Sequence, residues 1–287
     1  MQMQYDCKTI ANEIIERVKN NGLCQPINLH VIANTTEAGS SYVKNKLAIA
    51  HECGFITHIH SYGELAATDT IAARMGLDSD MTNVVLRDII HSYIKAPTII
   101  QLPFHSKVDN QLDQYLSPKC DADGLTSGAI VQPATAKGVY TFLEKNNLID
   151  GKRIVIIGRS QLVGKPLAKM LIGTDATVTL CHSKTQSLHE LCKIADVIVV
   201  AVGKPNFITK SMIDQSKNVV IVDVGINRDK DGKLCGDVGK DVVGDNVYVT
   251  PVPGGVGLLT TACLMDNVVQ LYSKYSEYFK RTDTYND

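Results

Sequence analysis

Two residues in the segment SYVKNK could act together on a flat substrate. In a helix, Tyr42 and Lys46 are four residues apart and therefore share one face. The tyrosine ring could stack on a planar molecule while the neighbouring amine transfers a proton. A simple surface contact between the two side chains is the alternative, and their spacing alone does not decide between them.

Two further polar residues stand where predicted strands run into loops. Gln101 follows the apolar run in IIQLPF, and Asp123 lies in CDADG. An amide and a carboxylate near a lysine can shift its pKa and hold it in place. The sequence does not show whether these side chains converge on Lys46.

The segment IVIIGRSQLVGKP predicts a strand, a glycine turn and the start of a helix, where free N–H groups can bind a pyrophosphate. The usual G-x-G-x-x-G spacing is altered: Ser160 takes the place of the second glycine, and the third is displaced to Gly164. A plain strand-to-helix turn is the alternative. The apolar strands on both sides favour a dinucleotide site at Gly158.

The following strand, ATVTLCHS, indicates which dinucleotide is bound. Enzymes that use NAD usually carry an acidic residue at its end, but this chain has the sequence CHSK there. A guanidinium from Arg159 and a hydroxyl from Ser183 suit a 2′-phosphate instead. We therefore predict NADP, with a solvated surface position for Arg159 as the alternative.

Three more glycine-containing segments follow predicted strands or precede a helix. AVGKP and DVGIN make Gly203 and Ile226 candidates for contact with the nucleotide, although each is equally compatible with an ordinary turn. TPVPGGVGLLT combines prolines, which fix φ, with glycines, which admit close backbone approach. It is either a tight turn that begins a helix or a backbone surface for a flat ligand.

The elements that would position these residues alternate between strand and helix, which predicts an α/β fold. Residues 7–21, 41–53, 79–93 and 133–148 read as helices, and INLHVIAN, ITHIHSYG and APTIIQLPF read as strands. From residue 151 onward, fully apolar strands such as ADVIVVAVG indicate a parallel sheet that is covered on both faces. The segment CLMDNVVQLYSKYSEYFK predicts a terminal helix.

Composition excludes several classes of function. The 29 Lys and Arg residues balance the 30 Asp and Glu residues, so no polyanionic partner such as nucleic acid is indicated. No segment predicts a signal peptide or a membrane span, which favours the cytoplasm. The 8 cysteines form no C-x-x-C pair and His58-x-His60 is a poor ligand set, so we predict buried free thiols and no metal.

Taken in order, SYVKNK, IIQLPF, DADG, IGRSQLVGKP, ATVTLCHSKT, DVGIN, GDV and TPVPGGVGLLT resemble the bifunctional methylenetetrahydrofolate dehydrogenase/methenyltetrahydrofolate cyclohydrolase family over nearly the whole chain. The resemblance implies two domains with a cleft between them. An N-terminal α/β folate domain would comprise residues 1–138 and 260–287, and a Rossmann-type NADP domain residues 139–259. It also implies a homodimer.

The resemblance assigns roles to the candidate residues. Lys46 would be the acid/base group of the cyclohydrolase step, Tyr42 would stack on the folate, and Gln101 and Asp123 would set the lysine's protonation and hold the pterin. The implied cofactor contacts are Gly158, Arg159, Ser160, Ser183, Gly203, Ile226 and Thr260. The implied folate contacts include Leu102 and, in the TPVPGGVG segment, Pro253, Gly254, Gly255 and Gly257.

Departures from the family pattern surround the folate side: Asn45 stands before the lysine, His105 ends QLPFH, and PATA and GLLT replace the usual PCTP and GPMT. They leave the dehydrogenase prediction unchanged and bear on turnover, substrate affinity and the balance of the two activities. Three rival functions stay open. These are a folate dehydrogenase without cyclohydrolase activity, an NADP-dependent dehydrogenase for a substrate such as shikimate, and a binding protein without turnover.

Overall fold

The structure, a computed structural model, describes residues 5–23, 25–33, 41–61, 96–101 and 116–280. Within these ranges it has the predicted α/β architecture with parallel sheets. The predicted helix at 79–93, Leu102 and His105 lie outside the described residues. Tyr42 and Gln101 are described by their backbone alone.

Contacts divide the chain into two compact units. The three-strand unit comprises Ile15–Gln132 and Leu264–Asp287, and the five-strand unit comprises Met1–Ile14 and Pro133–Cys263. The divisions after 132 and 263 lie close to the 138/139 and 259/260 boundaries implied by the resemblance. The division differs for the first residues, which the prediction had assigned to the folate domain.

Tyr5 explains why the chain's beginning belongs to the five-strand unit. Its ring lies edge-on to Phe142 and Tyr248, with ring centroids 6.0 and 4.8 Å away. The Tyr248 hydroxyl also donates a hydrogen bond to the Tyr5 carbonyl, although 243 residues separate the two. Local sequence patterns carry no signal for such a distant aromatic contact.

The boundary between the units falls within the first helix, after Ile14, and the three-strand unit contains the strands that follow it. Helix α1 (Cys7–Lys19) precedes β1 (Asn28–Ala33), helix α2 (Ser41–Glu52) connects it to β2 (Ile56–Ser61), and β3 (Thr98–Gln101) follows. The strands are parallel, in the order β2-β1-β3. Gly54, with a φ of +78°, follows α2 in the left-handed conformation that commonly ends a helix.

The five-strand unit continues with α3 (Ala134–Lys145) and then alternates strands and helices. These are β4 (Arg153–Ile157), α4 (Gly164–Ile172), β5 (Thr177–Cys181), α5 (Leu188–Ile194), β6 (Val197–Val200), the 3-10 helix Lys210–Met212, β7 (Val219–Asp223), β8 (Asn227–Arg228), β9 (Leu234–Cys235), β10 (Val247–Val249) and α6 (Val256–Lys280), whose later residues belong to the other unit. Strands β10-β7-β6-β4-β5 form one parallel sheet in that order, while β8 and β9 pair antiparallel.

Burial accounts for the apolar character of the central strands. Every residue of β6 and of β7 is buried, which is why both read as continuous apolar runs. Asp223, at the end of β7, is the one charged residue in these two strands and is only 3% exposed. A buried carboxylate needs hydrogen-bond donors, so this residue marks a specific polar arrangement at the edge of the sheet.

The described cysteines are free thiols, and all except Cys235 are buried, as the sequence predicts. Burial raises the pKa of the Cys181 thiol, which disfavours the reactive thiolate. Within the described residues, no group of three or more potential ligands could hold a metal ion, and no helix is both long and apolar enough to cross a bilayer.

Three histidines lie together on the sheet of the three-strand unit. Nδ1 of His30 lies 2.8 Å from Nε2 of His60, and the His30 and His58 rings stack with centroids 4.8 Å apart. Burial, together with repulsion from these neighbours, lowers the pKa of His30 to about 4. The folded state therefore favours the neutral ring, whereas the unfolded chain takes up a proton near the ordinary value of about 6.5.

The free energy of unfolding should therefore fall as the pH is lowered from about 7 to about 4. The stabilising contribution is complete above the unfolded pKa and is lost as the unfolded chain alone binds the proton. In urea titrations across this range, His30→Gln should show a weaker pH dependence than the wild type. His189→Gln, which changes an exposed histidine of the five-strand unit, is the control. Equal pH dependence in wild type and His30→Gln would contradict this reading.

Candidate cofactor edge and lysine site

The order of strands in the five-strand sheet reverses direction at β4. β4 comes first in the chain, the next strand β5 lies on one side of it, and β6 lies on the other. The connections from β4 and β5 therefore leave in opposite directions, which is where open α/β sheets bind their ligands. The Ala201 amide, just after β6, donates to the Ile157 carbonyl at the end of β4, 2.8 Å away.

In the glycine turn between β4 and α4, backbone segments pack so closely that only glycine fits at two positions. Gly158 has a φ of +115°, and a Cβ on it would overlap the carbonyl oxygen of Ala201. A Cβ on Gly164 would overlap the carbonyl oxygen of Gly158. The Ser160 hydroxyl accepts the Val163 amide at 3.1 Å and so supports the turn into the helix. The turn thus offers bare backbone at a helix N-terminus, which fits a pyrophosphate.

The residues predicted to select a 2′-phosphate lie on the β5 side of this turn. The Gly158 amide donates to the Cys181 carbonyl at 3.0 Å, which brings the start of the turn beside the end of β5. Arg159 follows Gly158 directly, Ser183 lies two residues after Cys181, and both are exposed. Both residues thus lie just beyond the carboxyl ends of two neighbouring strands, β4 and β5. Their joint contact with a 2′-phosphate stays a prediction.

On the other side of the turn, the loop after β6 is held by a residue that the sequence analysis missed. The Asp237 carboxylate accepts the amides of Val202, Gly203 and Lys204 at 2.7, 3.0 and 2.8 Å. Gly203, a predicted cofactor contact, has a φ of +66° within this loop. Asp237 is the central residue of the GDV segment, one of the segments that carry the family resemblance.

A second buried carboxylate, Asp223, organises the neighbouring segments. It accepts the amides of Gly225, Asp237 and Val238 at 2.9–3.0 Å. Burial raises the pKa of Asp223, and these hydrogen bonds oppose that effect. Ile226, a predicted cofactor contact, stands just after Gly225 and is 37% exposed, so it is available to a ligand at this edge.

The TPVPGGVG segment is anchored to β7 at its first residue. The Thr250 amide donates to the Ile221 carbonyl at 3.0 Å, and the Thr250 hydroxyl accepts the Asp223 amide at 2.8 Å. The Val252–Pro253 peptide bond is cis, and Gly254 has a φ of +99°.

The end of this segment begins helix α6, as the turn interpretation predicts. A Cβ on Gly255 would overlap the Pro251 carbonyl oxygen, so the backbone folds tightly here. Pro253, Gly254 and Gly257 are nevertheless exposed. The segment therefore has both predicted properties, a helix-starting turn and an accessible backbone. The Thr260 hydroxyl, one turn into α6, donates to the Val256 carbonyl at 3.0 Å.

In the three-strand unit, Lys46 lies in α2 and is half-buried, one turn after Tyr42. The helix follows β1, whose last residue, Ala33, pairs with Gln101, the last residue of β3. The predicted positions of Tyr42 and Lys46 on one helix are confirmed, as is that of Gln101 at a strand end.

Asp123 lies in a loop that a different aspartate holds together. The buried Asp121 carboxylate accepts the Gly124 amide at 2.9 Å and both the amide and the hydroxyl of Thr126, at 2.7 and 2.8 Å. Asp121 also forms a parallel bridge with Thr98, at the start of β3. Asp123, two residues after Asp121, is half-buried. The second aspartate of DADG is thus the accessible one.

Comparison with known proteins identifies relatives of this arrangement. Residues 133–276 match the model of the "Tetrahydrofolate dehydrogenase/cyclohydrolase, NAD(P)-binding domain". The chain is 38% identical to "Bifunctional protein FolD" of Malacoplasma penetrans over 96% of this chain and 99% of that one. It is also 38% identical to the protein of the same name from Magnetococcus marinus, over 92% and 95% of the two chains.

Solved structures agree with these sequence relatives. The bifunctional FolD enzyme of Campylobacter jejuni superposes with a TM-score of 0.76 at 31% identity, covering 94% of this chain and 98% of that one. The Trypanosoma brucei enzyme, solved with NADP cofactor and inhibitor, gives 0.75 at 27%, covering 94% and 95%. A shikimate 5-dehydrogenase of Thermus thermophilus gives 0.52 at 12% identity, covering 89% and 99%, and thus shares the fold alone.

Gly164→Ala should abolish or strongly weaken NADP⁺ binding, because the added methyl group displaces the Gly158 backbone. Gly173→Ala, at the other end of α4, is the control, since the nearest atom to its added Cβ is 3.8 Å away. Titration calorimetry with NADP⁺ on both variants measures the effect. Equal affinities in the two variants would show that the turn does not contact the cofactor.

Proposed function

The chain belongs to the tetrahydrofolate dehydrogenase/cyclohydrolase family, and on that basis we propose the activity, the site and the setting of this protein. It oxidises 5,10-methylenetetrahydrofolate to the 5,10-methenyl form with NADP⁺ and hydrolyses that product to 10-formyltetrahydrofolate. The observation that carries this function is the 38% identity to a bifunctional FolD protein over nearly the full length of both chains. A relative of this extent includes both the cofactor edge and the lysine helix.

The five-strand unit binds NADP, which supplies the hydride acceptor. Its residues fit this cofactor, because the glycine turn has no room for a Cβ at Gly158 or Gly164 and presents bare backbone at the start of α4. Arg159, Ser160 and Ser183 would hold the phosphates. Gly203, Ile226 and Thr260 would line the rest of the cofactor site.

The three-strand unit supplies the groups for hydrolysis. The methenyl carbon is electrophilic and adds water, after which the ring opens to the formyl product. Lys46 would transfer protons in these steps, and Tyr42 would stack on the folate. Gln101 and Asp123 would hold the pterin and set the protonation of the lysine. An anionic Asp123 would stabilise the charged form of Lys46, which cannot accept a proton. We therefore propose that Asp123 either hydrogen-bonds the substrate or is itself protonated.

The folate would also contact exposed backbone of the TPVPGGVG segment at Pro253, Gly254 and Gly257, with Gly255 shaping the turn. Leu102, outside the described residues, completes the proposed contacts. The setting we propose is a homodimer in the cytoplasm that binds neither nucleic acid nor membrane. The balanced charge supports the absence of a nucleic-acid partner.

Lys46→Ala should lower the hydrolysis of supplied methenyltetrahydrofolate by roughly 100-fold or more, the usual contribution of a positioned acid/base group. Lys44→Ala removes an exposed lysine from the same helix and is the matched control. Absorbance of the methenyl compound follows hydrolysis, and NADPH formation follows oxidation. A wild type that oxidises but does not hydrolyse would be a dehydrogenase without cyclohydrolase activity. Unchanged hydrolysis in Lys46→Ala would remove the lysine from the mechanism.

Arg159→Ala should raise the KM for NADP⁺ by roughly tenfold, the loss of one charge-assisted pair, with little effect on the weaker use of NAD⁺. Lys169→Ala, an exposed cation of α4, is the control for net charge. Steady-state oxidation with each dinucleotide measures both values. An equal change for NADP⁺ and NAD⁺ would show that Arg159 does not recognise the 2′-phosphate.

A further inference from the structure

The loop after β6 forms an anion-binding concavity that the protein fills with its own carboxylate. Three successive amides, of Val202, Gly203 and Lys204, point at Asp237, and the Asn227 side-chain amide donates to it at 2.8 Å. Successive backbone N–H groups that converge in this way usually bind a phosphate or another anion. Asp237 is completely buried. All these donors require an acceptor, so the ionised carboxylate is the form that fits.

The chain delivers Asp237 to this position through the second buried carboxylate. Asp223 accepts the Asp237 and Val238 amides, each at 2.9 Å, and so fixes the backbone on both sides of the Asp237 side chain. The two glycines nearby leave the room that this requires. A Cβ on Gly225 would overlap the Asp237 carboxyl group, and one on Gly236 would overlap the Asp223 carboxyl group.

The concavity filled by Asp237 follows β6, and its place in the sheet indicates which half of the cofactor lies near it. The Arg159 and Ser183 pair lies on the β5 side of the glycine turn, so the adenosine half of the cofactor would lie there. The nicotinamide half would then extend to the opposite side, across the ends of β6 and β7. The Val202–Lys204 loop follows β6 directly.

We propose that Asp237 is a positioning residue for the nicotinamide half of the cofactor, because its carboxylate occupies the concavity after β6 and fixes the loop that carries Gly203. This inference rests on the proposed function. The internal anion also excludes the cofactor's phosphates from this concavity and leaves them the glycine turn. Asp237 touches neither substrate nor reacting atoms in this role and acts through the loop.

Asp237→Asn tests the proposal with almost no change of shape. An asparagine offers one oxygen, so the amides now bonded to the other oxygen would face an NH₂ group. The double variant Asp237→Asn with Asn227→Asp restores part of the network, because the new NH₂ group can donate to the new carboxylate. Asp245→Asn, an exposed aspartate of the same region, controls for the lost charge.

We expect Asp237→Asn to lower kcat for NADP⁺-dependent oxidation roughly tenfold, the loss of about one hydrogen bond to a charged group, and the double variant to recover part of it. Hydrolysis of supplied methenyltetrahydrofolate should stay near the wild-type rate. Amide hydrogen exchange at residues 202–204 should become faster in Asp237→Asn without any ligand.

A parallel loss of oxidation and hydrolysis would indicate a purely structural role and overturn the proposal, as would unchanged oxidation in Asp237→Asn. Amide hydrogen exchange can be measured whether or not the protein is active. It therefore distinguishes failure of the proposed function from failure of the positioning role. If the wild type does not oxidise the folate, the proposed function fails. If exchange at 202–204 is unchanged, the positioning role fails, whatever the substrate.

Discussion

Two buried carboxylates, Asp223 and Asp237, hold the carboxyl edge of the five-strand sheet in one arrangement. Together they accept seven hydrogen bonds, six from backbone amides and one from Asn227. The loops after β6 and β7 and the GDV segment all depend on these bonds. Burying a carboxylate away from water raises the free energy of the folded state unless hydrogen-bond donors compensate. Loss of some of these hydrogen bonds would therefore destabilise this edge of the sheet.

This constraint also fixes the start of the TPVPGGVG segment. The Asp223 amide donates to the Thr250 hydroxyl, so the residue that organises the loops also anchors the proline- and glycine-rich turn. The predicted cofactor contacts Gly203 and Ile226 and the predicted folate contacts Pro253 and Gly254 therefore extend from one polar network. Rigid support of this kind is what a site needs to hold two reactants at a fixed distance.

In each unit, a buried aspartate accepts several hydrogen bonds and so fixes the shape of a loop. In the three-strand unit, Asp121 accepts three hydrogen bonds from Gly124 and Thr126 and leaves Asp123, two residues later, accessible. In both units a buried aspartate shapes a loop, and the proposed binding residues are its neighbours. The sequence alone does not tell the supporting aspartate from the accessible one, because burial and hydrogen-bond partners distinguish them and both depend on the tertiary structure.

The sequence by itself determined the α/β class, the glycine turn, the helix that carries Tyr42 and Lys46, and the NADP preference expected from Arg159 and Ser183. These follow from local periodicity, from glycine spacing and from the absence of an acidic residue after β5, all of which are short-range properties. Only the tertiary structure decided that Asp237 fills the loop after β6, that Tyr5 joins the chain's beginning to the five-strand unit, and that three histidines cluster on the small sheet. Such contacts join residues up to 243 positions apart, and the free energy that selects them comes from burial and hydrogen-bond satisfaction, which no local pattern encodes.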